Sequence, residues 1–154
     1  MRRRFLPTLL AFLPAGWAGA ALAQAPRGAP APPLALPAGM SPLPGGAFRL
    51  AFRAADASIS TAAQATLAEI GRRLVASLSP GLGRVTVEAQ ASGPSNDASA
   101  ARRLSLARAQ AVRDGLAAGG LATNLIDVSP LGRQPAGLDA ADILPPGAAR
   151  ASRR

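Results

Sequence analysis

Few side chains in this sequence could carry out covalent or acid–base chemistry. Its 154 residues include 17 Arg and eight Asp or Glu, but no His, Cys, Tyr or Lys. Without His or Cys there is no ordinary zinc site, no thiol or Ser–His nucleophile and no disulfide framework. A general acid or base could only be a carboxyl group, and Glu88 has no acidic residue two positions away. These counts predict a protein that is not an enzyme and that uses no metal or cofactor.

One arginine is distinguished by its neighbours. Arg108 lies in the segment Leu104-Ser105-Leu106-Ala107-Arg108-Ala109, which follows a run ending in Val87-Glu88 and a loop rich in Gly, Pro, Ser and Asn. The planar fork of an arginine can bind a carboxylate through two parallel hydrogen bonds. Taken alone, Arg108 could equally lie on a solvated helix face, so the elements around it decide its interpretation.

Hydrophobic periodicity predicts these elements. Strict alternation predicts half-buried strands over 48–53 and 84–91, and a short third strand covers 125–128. Apolar residues at intervals of three and four predict helices over about 61–78 and 97–118. Thr61 and Gln64 have capping-box spacing, and Asn96 or Asp97 is the expected N-cap of the second helix. The order β-α-β-α-β over 47–136 predicts an α/β (α+β) sandwich with both helices on one face of a small mixed sheet.

The segment before this domain has the composition of an export signal followed by a linker. Residues 1–23 combine Arg2 to Arg4, an apolar stretch and the small-x-small site Ala21-Leu22-Ala23, which predicts a cleaved signal peptide. An uncleaved membrane anchor is the alternative, and the arginine pair leaves the general secretory and twin-arginine routes open. No Cys follows the apolar stretch, so we expect no lipid anchor. Seven prolines in 24–46 predict an extended Pro/Ala-rich linker.

The segment after the domain lacks periodicity. Residues 137–154 end in Arg153-Arg154, and we expect them to form a disordered basic tail.

The net charge of +9 makes nucleic acid the first partner to consider. The arginines are scattered, however, and within 47–136 ten of them share the sequence with six acids. Three more belong to the signal peptide, and export would separate the protein from nucleic acid. We therefore expect no nucleic-acid partner.

Arg108 and its surroundings resemble the OmpA C-terminal domain family, which binds peptidoglycan noncovalently in the periplasm. The resemblance runs from Phe48 to Pro135 and rests on three features: the strand Val85-Thr86-Val87-Glu88, the Leu-Ser-x-x-Arg-Ala element, and the closing segment Leu131-Gly132-Arg133-Gln134-Pro135. Family members grip the diaminopimelate of the peptide stem, with an Asp at its amine end and the helix Arg on a carboxylate. The resemblance places Arg108 on the family's Arg.

The family's Asp has no counterpart here. Where the family has Gly-His-Thr-Asp, this chain has Ala89-Gln90-Ala91-Ser92, so Ser92 or Gly93 takes the place of the acid. Losing one charged partner in a partly buried site costs roughly ten- to a hundredfold in affinity. Asp97, in the same loop, is a candidate substitute.

The resemblance implies a periplasmic protein, associated with the cell wall or outer membrane of a Gram-negative cell envelope. Its peptidoglycan-binding residues would be Arg108, Ser92, Asp97 and Ser105, the last from the Leu-Ser pair. The alternative is a domain of the same fold that has lost its ligand and contacts other envelope proteins as a scaffold module. The altered stretch from Ala89 to Ser92 favours that alternative.

Overall fold

The computed structural model describes residues 33–78, 83–93 and 96–148. The predicted signal peptide, the first part of the linker and the last six residues lie outside the described residues. The described chain forms seven main elements in this order: β1 (Met40–Leu43), β2 (Ala47–Ala51), α1 (Thr61–Ser77), β3 (Val85–Gln90), α2 (Ala98–Ala118), β4 (Ile126–Gly132) and β5 (Ala140–Leu144). Short 3-10 turns, Pro44–Gly46 and Thr123–Leu125, precede β2 and β4.

The five strands form one mixed sheet in the order β1-β2-β5-β3-β4. Only β3 and β4 pair in parallel, with α2 as their crossover, and the other three pairings are antiparallel. Both helices pack on the same face of this sheet, so the predicted fold class is confirmed.

The core between helices and sheet is built from small and medium-sized side chains. Each helix contributes one stripe and the sheet contributes the alternate residues of its central strands; the buried set includes Leu67, Ile70, Leu74, Val85, Val87, Ala109, Val112, Leu116, Ala141 and Ile143. Leu104, on α2, is only partly buried.

The two helices approach closely because glycines stand at their contact. A Cβ atom added at Gly71 would lie 2.2 Å from the carbonyl oxygen of Leu116, and one at Gly119 would lie 2.0 Å from that of Ala68. No rotamer change relieves a clash with a backbone oxygen, so this spacing of α1 and α2 requires glycine at both positions.

The predicted domain limits were too narrow at both ends. β5 lies within the segment expected to be a disordered tail, yet all five of its residues are buried because it pairs with β2 on one side and β3 on the other. β1 lies within the predicted linker. It is an edge strand, where a proline such as Pro42 is tolerated because one side of the strand makes no ladder hydrogen bonds.

Both helices begin close to the predicted positions, and only the N-cap of α1 differs from the prediction, by one residue. Ser60, one residue before the predicted capping box, caps α1 by accepting a hydrogen bond from the N–H of Ala63. Asp97 caps α2 by accepting from the N–H of Ala100 at 2.8 Å, as one of the two predicted alternatives.

Candidate functional site

Arg108 lies on the inner face of α2 and has no exposed surface. Its guanidinium donates four hydrogen bonds of 2.7–2.8 Å, three to the backbone carbonyls of Arg53, Asp56 and Gln90 and one to the carboxylate of Asp139. The ring of Phe52 lies 5.1 Å from the guanidinium carbon and adds a cation–π contact. A buried cation is tolerated only with such a set of acceptors, so this arginine is held rigidly in place.

Arg108 holds a strained turn together. The carbonyls of Arg53 and Asp56 stand at the two ends of a turn closed by the hydrogen bond from Asp56 N–H to the Arg53 carbonyl. Inside this turn Ala55 has a φ of +58°, a left-handed conformation that costs energy for a residue other than glycine. Two hydrogen bonds from one buried side chain therefore fix the shape of the loop that follows β2.

Asp139 lies beside Arg108 because of the strand register. β3 and β5 run antiparallel with Gln90 opposite Ala140, so the residues after β3 face the residues before β5. The carboxylate of Asp139 accepts from the backbone N–H of Ser92 at 3.0 Å and from the Ser92 hydroxyl at 2.7 Å, and its oxygen lies 2.7 Å from Arg108 Nη1. The carbonyl of Asp139 accepts from the N–H of Phe52, which fixes its backbone from the other side.

The electrostatics keep Asp139 ionised. Burial alone would raise the pKa of this carboxyl, but the hydrogen bonds that Ser92 and Arg108 donate to the carboxylate bring the pKa below its ordinary value. The Asp139 side chain keeps 17% of its surface exposed, whereas Arg108 keeps none. The carboxylate side chain of Asp139 is therefore partly accessible to solvent, whereas the guanidinium of Arg108 is not.

A groove of about 420 Å³ opens next to this cluster. Ser92 and Gly93 form one wall, the turn after β2 forms another, and the first turns of α2 form the third; the lining residues are Ala54, Ala55, Ser92, Gly93, Ala100, Ala101 and Leu104. Among these described residues, Ser92 has the only polar side chain. The groove can therefore take a small, uncharged chain, with polar recognition at the Ser92–Asp139 end.

The other two predicted site residues have structural roles. Asp97 is occupied as the N-cap of α2, and its second oxygen lies 3.9 Å from Arg103, so it does not replace the family's acid beside Arg108. Ser105 is fully buried; its hydroxyl donates to the carbonyl of Arg102 and accepts from the N–H of Gly132. It ties α2 to the end of β4 and does not reach the groove.

The structure thus changes the predicted site in two respects. Ser92 and Arg108 do belong to one cluster, but Asp139 joins them, and a ligand carboxylate does not reach Arg108 in this arrangement because the guanidinium is buried and already paired. Asp139 was missed because it lies in the predicted tail. A weak signal was present, since the run from Ala140 to Leu144 is apolar apart from Asp142 and ends at Pro145, as a short strand buried on both faces can be.

The described residues contain no group of three or more side chains arranged to hold a metal ion. Within the same ranges, neither helix combines the length and apolar character required to cross a membrane.

Comparison with known proteins gives structural matches only. No family model and no curated protein matches the sequence. Among solved structures, the chain is similar to the peptidoglycan-associated lipoprotein from Burkholderia pseudomallei, with a TM-score of 0.51 and 18% identity over 62% of this chain and 86% of that one. It is also similar to the periplasmic domain of Helicobacter pylori MotB, with a TM-score of 0.50 and 16% identity over 68% of this chain and 82% of that one.

A third match is the OmpA-like domain of FopA1 from Francisella tularensis subsp. tularensis SCHU S4, at a TM-score of 0.49 and 16% identity, covering 71% of this chain and 75% of that one. Identities this low establish a common fold and nothing finer. Together with the mixed sheet and its two helices on one face, the first two matches show that this chain has the OmpA-like fold.

Proposed function

We propose that this chain is an exported cell-envelope protein whose OmpA-like domain binds peptidoglycan noncovalently through the stem peptide. The signal-like residues 1–23, the proline-rich segment that follows and the OmpA-like fold support this placement. One observation carries the proposal: the carboxylate of Asp139, directly before β5, lies against Ser92, the position where the family resemblance places an acid, at the edge of a groove.

The residues have separate roles in this proposal. Asp139 accepts the ammonium group of the stem peptide's diamino acid, and Ser92 orients the Asp139 carboxylate. Arg108 is a positioning residue: it holds the turn that carries Ala55, which lines the groove, and it also holds Asp139 and the end of β3 beside the groove-lining Ser92. The small lining residues leave room for the peptide chain.

Co-sedimentation with purified peptidoglycan sacculi tests the proposal. The substitution Ala100→Phe places a ring in the groove and leaves Arg108, Asp139 and Ser92 themselves unchanged, and we expect it to reduce the sedimented fraction at least about tenfold. Ala118→Phe adds the same ring at the exposed last residue of α2 and should sediment like the wild type. Equal retention of the two variants, with both folded, would contradict a role for this groove.

A second candidate function is an interaction module that keeps the fold but contacts other envelope proteins. The complete burial of Arg108, with four internal acceptors, favours it, because the cation assigned to the ligand by the family resemblance serves the fold here. Failure of the wild-type chain to sediment with sacculi, at low as well as physiological salt, would select this second function.

A further inference from the structure

The cation that the family resemblance assigns to the ligand's carboxylate is already neutralised in this chain. Arg108 donates to Asp139 and to three carbonyls, and it has no exposed surface. An incoming carboxylate would have to displace Asp139 and then lie against it, at the cost of repulsion between two anions. The charge of Arg108 is compensated by Asp139 and is out of reach of solvent, so the pair offers no accessible cation to an anion.

The anion of the pair remains available. A carboxylate has about four acceptor positions, and the described contacts of Asp139 occupy three of them: the Ser92 N–H, the Ser92 hydroxyl and Arg108 Nη1. The partly exposed side chain lies next to Ser92, which forms part of the groove wall. An ammonium group entering along Ser92 would find an ionised acceptor that its neighbours hold fixed.

No charged side chain lines the groove in the described part of the chain. The lining therefore offers contacts to small uncharged groups and supplies no second ionic contact. A site that binds both charges of a zwitterion needs an anionic group and an arginine that both face the ligand. This groove differs because only the anionic group is accessible.

We infer that the site recognises the primary amine of the stem peptide's diamino acid and is indifferent to whether the neighbouring carboxylate is free or amidated. The inference rests on the proposed function and narrows its ligand. A site that binds both the amine and the carboxylate would lose affinity when the carboxylate is amidated. A site that binds only the amine would keep its affinity on amidation and lose it when the amine is acylated.

Calorimetric titration of the full chain with three synthetic stem peptides tests the inference. All three are blocked at the N-terminus; one has the diamino acid's amine and side-chain carboxyl free, one has that carboxyl amidated, and one has that amine acetylated. We expect the free and amidated peptides to bind with dissociation constants within about twofold of each other. Acetylation should weaken binding roughly ten- to a hundredfold, because it removes a hydrogen bond between two charged groups.

Two variants assign the effect to Asp139. In Asp139→Asn the preference for the free amine over the acetylated amine should disappear, whereas Asp127→Asn, which removes an exposed carboxylate paired with Arg84, should keep it. Amidation that weakens binding tenfold would overturn the inference and leave the proposed function standing. Retention of the chain by sacculi without binding of any of the three peptides would also overturn the inference and leave the proposed function standing. Absence of binding to both sacculi and peptides would overturn the proposed function and the inference with it.

Discussion

At the residue scale, Arg108 connects parts of the chain that are far apart in sequence. Its acceptors lie 55, 52, 18 and 31 positions away, at Arg53, Asp56, Gln90 and Asp139. The sequence singled out Arg108 through its local neighbours, and the structure places its buried side chain where the ends of β2 and β3 and the residue before β5 meet. The sequence could not indicate that Asp139 would reach it, since a contact 31 residues away depends on strand order.

The four hydrogen bonds of the buried guanidinium predict that Arg108 is required for folding. Arg108→Ala would leave three carbonyls and the Asp139 carboxylate without their donor, so we expect a loss of about 3–5 kcal/mol in the free energy of unfolding. Urea denaturation followed by circular dichroism measures it. Arg102→Ala, at an exposed position of the same helix, should change stability by less than about 0.5 kcal/mol. A loss below about 1 kcal/mol in Arg108→Ala would show that the four hydrogen bonds contribute little.

The lowered pKa of Asp139 predicts a pH dependence of stability. A carboxyl with a lower pKa in the folded than in the unfolded state stabilises the fold above its unfolded pKa of about 4, and this contribution is lost as the pH falls through the folded-state pKa. The stability advantage of the wild type over Asp139→Asn should therefore be greatest near neutral pH and shrink as the pH falls below about 4. Denaturation curves of both proteins over this range test it, and a difference that does not vary with pH would contradict it.

At the element scale, the third predicted strand, 125–128, covers only the first part of β4, in which just the two end residues are buried. Periodicity predicted the two helices and the strands β2 and β3, because each has one face on the core and the other toward solvent. It failed for β1 and β5. β5 is short and buried throughout, so it lacks the contrast between a buried and an exposed face on which periodicity depends. β1 contains Pro42, which reads as linker and is acceptable only because the strand lies at an edge.

The central place of β5 predicts the outcome of two truncations. A chain that ends at residue 137 lacks the strand between β2 and β3, which leaves the sheet in two parts, so we expect no cooperative unfolding transition. A chain that ends at residue 148 keeps every described element and should unfold like the full chain. Thermal melts followed by circular dichroism compare them. A cooperative transition in the shorter chain would show that β5 is dispensable.

At the scale of the whole molecule, the fold inserts its last strand between β2 and β3, in the middle of the sheet, and so brings three distant segments together at one end of these strands. The turn after β2, the loop after β3 and the residue before β5 meet there, with α2 above them. An acid in any of these segments can therefore serve the same site. At the position where the family resemblance places an acid the chain has Ser92 or Gly93, and the carboxylate of Asp139 lies beside Ser92, so local sequence motifs alone do not reveal this acid.

In the proposed function, Asp139 provides the acid of a peptidoglycan-binding site. The most direct measurement is the apparent dissociation constant for purified sacculi of the wild type, Asp139→Asn and Asp127→Asn, each confirmed to be folded by circular dichroism at the assay temperature. We predict that Asp139→Asn weakens binding roughly ten- to a hundredfold, while Asp127→Asn binds like the wild type. Wild-type affinity in folded Asp139→Asn would contradict the claim.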